Sequence, residues 1–183
     1  MAVSFKETIS LIRGDLDRYA ASFLKAVFFI PGFKYTFHHR ICYWLSTHKF
    51  LWPIFALEWI YLKHLTYLFG IQMAWNIKLP PKFTIAHFGG ITFFPDSCGC
   101  NIYLRQNCTV GGAYTFVGPH PRIGNNVTFG ANVVVAGDIS IGDNVIIAAG
   151  AVVLSSVPDN CMVGGVPAKI LKRFDAHEIS NRQ

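Results

Sequence analysis

Two histidines stand where a side chain could act on a substrate. His87 lies in "FTIAHFGGI" and His120 in "GPHPRI", the second stiffened by Pro119 and Pro121. Imidazole changes charge near physiological pH, so two of them flanking one chain excursion fit proton transfer at a shared site. His38, His39, His48, His64 and His177 fall in helical or tail contexts and read as surface or packed side chains. Five cysteines are an odd count, and Cys98 and Cys108 fall on inward positions of the repeat described below, so reduced cytoplasmic thiols are expected rather than disulfides. The "CGC" at 98–100 has no second cysteine pair at zinc spacing, and no metal is expected there.

A reacting side chain needs a rigid support, and here the support repeats every six residues. Residues 123–158 divide without a gap into hexads that open on Ile123, Phe129, Val135, Ile141, Ile147 and Val153, with a second apolar residue four places on at Val127, Val133, Ile139, Val145, Ala151 and Val157. Helices repeat near 3.6 and strands near 2, so neither alone gives six. One short strand per hexad, a corner at small residues such as Gly124, Gly130 and Gly142, and three sides per coil do give it. Stacked coils pair their strands in parallel and bury the repeating apolar positions. The repeat continues upstream through Met73, Leu79, Ile85 and Ile91 and, after a one-residue slip, through Cys98, Leu104 and Val110. "GGAYTFVGPHPR", between Val110 and Ile123, is too long for one hexad and reads as a loop projecting from the scaffold, where function concentrates.

Residues 1–70 carry no hexads and read as an α-helical cap. Ser4 and Glu7 have capping-box spacing, an amphipathic run from Leu16 to Phe28 stops at Pro31-Gly32, and further helices are expected through 33–45 and from Pro53 to Gly70. The organisation is then a cap over 1–70, a β-helix over 71–160 with an extended loop at 111–122, and a tail over 161–183.

Composition narrows the partners. The chain has 183 residues, 52 % of them hydrophobic, and a net charge of +6. That surplus suits a phosphate-bearing cosubstrate or an anionic membrane surface, or simply a soluble exterior. No signal peptide is visible, and the longest apolar region, "FLWPIFALEWIYLKHLTYLFGIQM", is interrupted by Pro53, Glu58, Lys63 and His64 and falls short of a transmembrane span. Aromatic residues interleaved with Lys25, Lys34, Arg40 and Lys49 read first as core or subunit interface, with peripheral membrane contact as the sharper alternative.

From about residue 12 to 173 the chain resembles the serine acetyltransferase branch of the hexapeptide-repeat acyltransferases, and more closely its relatives in bacterial exopolysaccharide synthesis. The resemblance rests on "GFKYTFHHRICYWL", "AHFGGI", "CTVGG", "PHPRIGNNVTFGANVVVAGDISIG" and the closing "GGVPAKILKR". It implies a mainly β fold, a left-handed parallel β-helix with an N-terminal helical cap, acetyl-CoA as donor, no metal, and sites shared between subunits of a homotrimer or a dimer of trimers. It implies His87 as general base and His120 as second active-site histidine, with Gly112, Ala131 and Ala149 lining the cofactor arm and Lys169 close to it. It places Asp17, with Asp15 beside it, at the acceptor. Apart from the resemblance, Gly111 and Gly112 are expected as backbone oxyanion donors and Tyr114 among the polar groups for the acceptor.

Three departures bear on that acceptor. Where the serine enzymes carry an aspartate before the base this chain has Ala86, where they carry an arginine before the second histidine it has Pro119, and Gln72 takes the place of the aspartate that orients the base. A zwitterionic amino acid needs charged partners, so a sugar hydroxyl of capsule, O-antigen or exopolysaccharide is the expected acceptor, with L-serine as the alternative. A carbonic anhydrase-like lyase would need a third histidine beside the repeats, and between 88 and 176 only His120 is present. A non-catalytic scaffold leaves "GGVPAK" unexplained.

Overall fold

The computed structural model describes residues 3–112 and 118–180. Helices α1 (Phe5–Leu16), α2 (Phe23–Phe29), α3 (Pro31–Ser46) and α4 (Trp52–Phe69) come first, with a 3-10 turn at Lys49–Leu51. Ser4 caps α1 by accepting from the Glu7 N–H, and Pro31 takes the first turn of α3, where its missing N–H costs nothing. The amphipathic run across 16–28 is not one helix: α1 stops at Leu16 and Ala20 has φ +46°. The break has a physical use, because it turns Tyr19 towards the strands.

The strands then wind a three-sided parallel solenoid. One face stacks β1 (Ile71–Met73), β3 (Ile91–Phe93), β6 (Thr109–Gly111), β9 (Val134–Ala136) and β12 (Val152–Val153). The second stacks β4 (Ser97–Cys98), β7 (Arg122–Ile123) and β10 (Ser140–Ile141). The third stacks β2 (Phe83–Ile85), β5 (Ile102–Leu104), β8 (Thr128–Phe129), β11 (Ile146–Ile147) and β13 (Cys161–Gly164), with β14 (Lys169–Arg173) closing it antiparallel. Val134 pairs with Val152, 18 residues on, whereas Thr109 pairs with Val134, 25 residues on, so one corner extrudes seven extra residues. Phe93 rather than Ile91 stands over Met73 and under Val110, so the irregularity expected between Ile91 and Cys98 begins earlier, in the long corner between Ile85 and β3 that carries His87. Every hexad position named above from Ile123 to Val157 is buried, and the rings of Phe83, Phe93 and Phe129 meet edge to face through the axis.

Two devices hold the stack together. Asn101, Asn126, Asn144 and Asn160 occupy one corner at φ +56° to +59°, a conformation asparagine tolerates, and each amide Nδ2 donates to the next Oδ1 at 2.9, 2.8 and 2.7 Å. The cap satisfies the open edge of β2: the Phe83 N–H donates to Asp15 Oδ1 at 2.9 Å and the Ile85 N–H to the Tyr19 hydroxyl at 2.9 Å. Arg40 holds Asp15 through Nε–Oδ2 at 2.7 Å and Nη2–Oδ1 at 2.9 Å, and also donates to the Leu79 and Pro80 carbonyls. Gly32 passes so close beneath that a Cβ would lie 1.9 Å from the Ile85 oxygen.

Candidate functional site

The candidate residues gather on two edges of the prism. His87 is exposed on the corner between β2 and β3, and that corner is pinned at both ends. The Ala86 N–H donates to the Leu104 carbonyl at 2.9 Å and the Gly89 carbonyl accepts from the Asn107 N–H at 2.8 Å. Gly89 (φ +103°) and Gly90 (φ +64°) make the bend, and a Cβ on Gly90 would strike the Asn107 side chain at 2.4 Å. The next residue, Phe88, rests its ring on Phe69 of α4 at 5.4 Å between centroids. Among the described residues no side-chain hydrogen bond orients the His87 ring. Gln72 is exposed on β1 and lines a cleft of about 440 Å³ with Lys63, Thr66 and Tyr67 of α4, with no hydrogen bond to His87.

The same edge runs upward through Arg105, Gln106 and Asn107 and then through small residues. Ala131 and Ala149 occupy the corners above, where the Gly150 N–H donates to the Ala131 carbonyl at 2.8 Å and a Cβ on Gly130 would lie 2.5 Å from the Ala149 nitrogen. Coils stack about 4.8 Å apart, so an extended chain laid along this edge from Ala149 passes Ala131 and then the exposed Arg105 and Asn107 before it reaches His87. At the top, the Ala168 N–H donates to Val152 and holds the "GGVPAK" segment over the last coil, with Lys169 exposed at the start of β14.

The other edge lies between the first and second faces and carries His120, Gly111 and Gly112. The His120 N–H donates to Asp96 Oδ2 at 3.0 Å and the Asp96 N–H to the Pro121 carbonyl at 3.0 Å, so "PHP" is fastened to the coil beneath. The ring is half-buried, its Nδ1 has no partner among the described residues, and a Cβ on Gly111 would lie 3.9 Å from that nitrogen. Asp96 escaped the sequence reading because its partner lies 24 residues away. A prism side of about six residues spans roughly 20 Å at strand rise, so His87 and His120 of one chain cannot close on one reacting atom.

Asp15 leaves the acceptor set. It is 1 % exposed with both oxygens occupied by Arg40 and Phe83; burial raises its pKa against the pull of Arg40 and the Phe83 N–H. Asp17 remains exposed at the end of α1, on the segment that Tyr19 fastens to Ile85, two residues before His87. Tyr114 lies outside the described residues. All five cysteines are free thiols, and burial pushes Cys42 and Cys98 up to about 12, which makes them poor nucleophiles. Among the described residues no three His, Cys, Asp or Glu side chains come together to hold a metal ion.

Residues 120–155 match the family described as bacterial transferase hexapeptide (six repeats). A serine acetyltransferase of Synechococcus elongatus is 34 % identical over 161 residues, 87 % of this chain and 64 % of that one. The putative colanic acid biosynthesis acetyltransferase WcaB of Escherichia coli K12 is 41 % identical over 105 residues, 56 % of this chain and 64 % of that one. The chain thus spans less than two thirds of the length of both. A serine acetyltransferase of Staphylococcus aureus is 32 % identical over 162 residues, 87 % of this chain and 74 % of that one. The crystal structure of serine acetyltransferase from Brucella abortus superposes with a TM-score of 0.77 at 28 % identity, covering 93 % of this chain and 71 % of that one. The structure of that organism's enzyme in complex with coenzyme A gives 0.72 at 27 %, covering 92 % and 67 %.

Proposed function

The chain belongs to the hexapeptide-repeat acyltransferases, and from that premise we propose that it transfers an acetyl group from acetyl-CoA to a hydroxyl. The observation that carries this reading is the edge on which His87 stands below the small residues Ala131 and Ala149, with Lys169 at its upper end. A pantetheine arm is narrow and uncharged and fits a groove floored by backbone, while a lysine at the far end answers a phosphate. On the His120 edge of a neighbouring copy, Gly112, next to Gly111 at the end of the β6–β9 ladder, offers its backbone N–H to the carbonyl oxygen as it gains charge.

His87 takes the proton of the acceptor hydroxyl as that oxygen forms its bond to the thioester carbon. The tetrahedral intermediate then collapses, the C–S bond breaks, and the leaving sulfur takes the proton from the imidazolium to give coenzyme A as a thiol. General-base assistance of this kind is worth about 10²–10⁴-fold. The site is completed by the His120 edge of a neighbouring copy, in a homotrimer or a dimer of trimers, and the five free thiols fit a cytoplasmic setting.

For the acceptor, the relatives matched over most of this chain are serine acetyltransferases, which favours L-serine. A carbohydrate hydroxyl in polysaccharide synthesis is the second reading, and particular residues favour it. Pro119 and Ala86 offer no charge to a carboxylate or an ammonium, and Asp15 is closed off by Arg40. Each lost charged contact is commonly worth about 1.5–3 kcal/mol. The test is release of coenzyme A thiol from acetyl-CoA against L-serine, free sugars and oligosaccharides. Release that depends on one of these acceptors supports the proposal, and an efficiency on L-serine near about 10⁴ M⁻¹s⁻¹ removes the carbohydrate reading. No release above the rate without acceptor, across the panel, overturns acetyl transfer to these hydroxyls.

A further inference from the structure

We infer that the outer face of α2 and α4, with the turn that joins α3 to α4, docks on an anionic lipid bilayer. The helix α4 is 18 residues long and apolar but for Glu58, Lys63, His64 and Thr66, yet it fully buries only Leu62 and Leu65, with Phe55, Trp59 and Phe69 partly buried against the core. Its outward side carries Trp52, Leu57 (72 % exposed) and Tyr67 (83 %), and Phe50 precedes it at 80 %. The outward side of α2 adds Leu24, Phe28 and Phe29, the last 79 % exposed. Soluble surfaces scatter such residues singly, whereas α2 and α4, which both pack on α3, each turn several of them outward, as a binding surface does.

The charge pattern says what binds. Between Asp17 and Asp96 the sequence has one acidic residue, Glu58, and it is taken by His38 Nδ1 at 2.7 Å. Lys25, Lys34, Lys49 and Lys63 stand on or beside these helices with no ion pair among the described residues. A second copy brought face to face by a two-fold axis would set this cationic surface against itself. A bilayer with anionic headgroups answers both features, since Trp, Tyr and Phe enter the interface while lysines reach the phosphates. No described helix is long and apolar enough to cross a membrane, so α2 and α4 lie along its surface. The inference does not depend on the acetyl-transfer reading.

Co-sedimentation of the full chain with vesicles tests it, comparing mixed phosphatidylglycerol and phosphatidylcholine with phosphatidylcholine alone. The chain should bind the anionic vesicles, and at least about tenfold more weakly the neutral ones or either kind in about 0.5 M salt. The triple variant Phe28→Ser, Phe29→Ser, Leu57→Ser and the separate triple variant Lys25→Gln, Lys49→Gln, Lys63→Gln should each lower anionic binding at least about tenfold. Circular dichroism and sedimentation of each variant without lipid should match the parent, which separates lost docking from lost folding. Absence of binding to anionic vesicles overturns the inference. So does a parent that binds none while the apolar variant alone becomes a smaller particle, which would assign the face to contact between copies.

Discussion

His87 projects from a corner that Leu104 and Asn107 hold by its backbone, and its side chain contributes nothing to the apolar stack. His87→Ala should therefore leave thermal stability and the circular dichroism spectrum unchanged while lowering turnover with acetyl-CoA at least about a hundredfold. Near-normal turnover would remove it from the role of base. His39 is the opposite case: fully buried, with a ring Nε2–H that donates to the Ala74 carbonyl at 3.0 Å. Burial lowers its pKa to about 4 from the ordinary 6.5. The unfolded chain then takes up a proton at a pH where the folded one does not, so His39 supports folding fully above about pH 6.5. That support is lost as pH falls towards 4, in all roughly 3 kcal/mol. Denaturant titrations from pH 7 to 4.5 should show the decline, and His39→Gln should flatten it. In the sequence, His87 stood out because it falls outside the inward positions Ile85 and Ile91, and His120 because Pro119 and Pro121 flank it. Arg40 on Asp15 and Asp96 on His120 did not, since each pair joins residues more than 20 apart and no spacing rule reports a contact made by folding.

At the scale of the element, the corner asparagines decide whether coils stack in register. Asn126 bonds to Asn101 below and Asn144 above while its own φ is +56°. Asn126→Ala loses both bonds and keeps a Cβ at φ +56° without the polar side chain that eases that conformation, so unfolding free energy should fall by about 2–3 kcal/mol. Asn126→Gly loses the bonds alone and should cost about 1 kcal/mol less. Equal losses in urea would show that backbone conformation does not matter at this corner. The six-residue period made the strands and the core readable, because every coil repeats one burial pattern. The asparagines lie 25, 18 and 16 residues apart and are polar, so apolar periodicity of six passes over them. The helices were less readable: the break at 17–22 answers to the open edge of β2, where Asp15 and Tyr19 must arrive, and that demand is made by a strand some 65 residues later.

The whole molecule sets its two histidines on different edges of a rigid prism. Neither can travel a prism side of roughly 20 Å, so a site using both has to draw them from two copies. On that account co-expressed His87→Ala and His120→Ala chains assemble some interfaces with an intact histidine of each kind, although no single chain has both. At equal amounts and random assembly around a closed ring about one quarter of the interfaces are whole. The decisive measurement is the acetyl-CoA turnover of these mixed assemblies beside each variant alone. The account predicts about a quarter of the parent rate, well above both variants; a rate no higher than the mean of the two would show that each chain works with its own histidines and would contradict it.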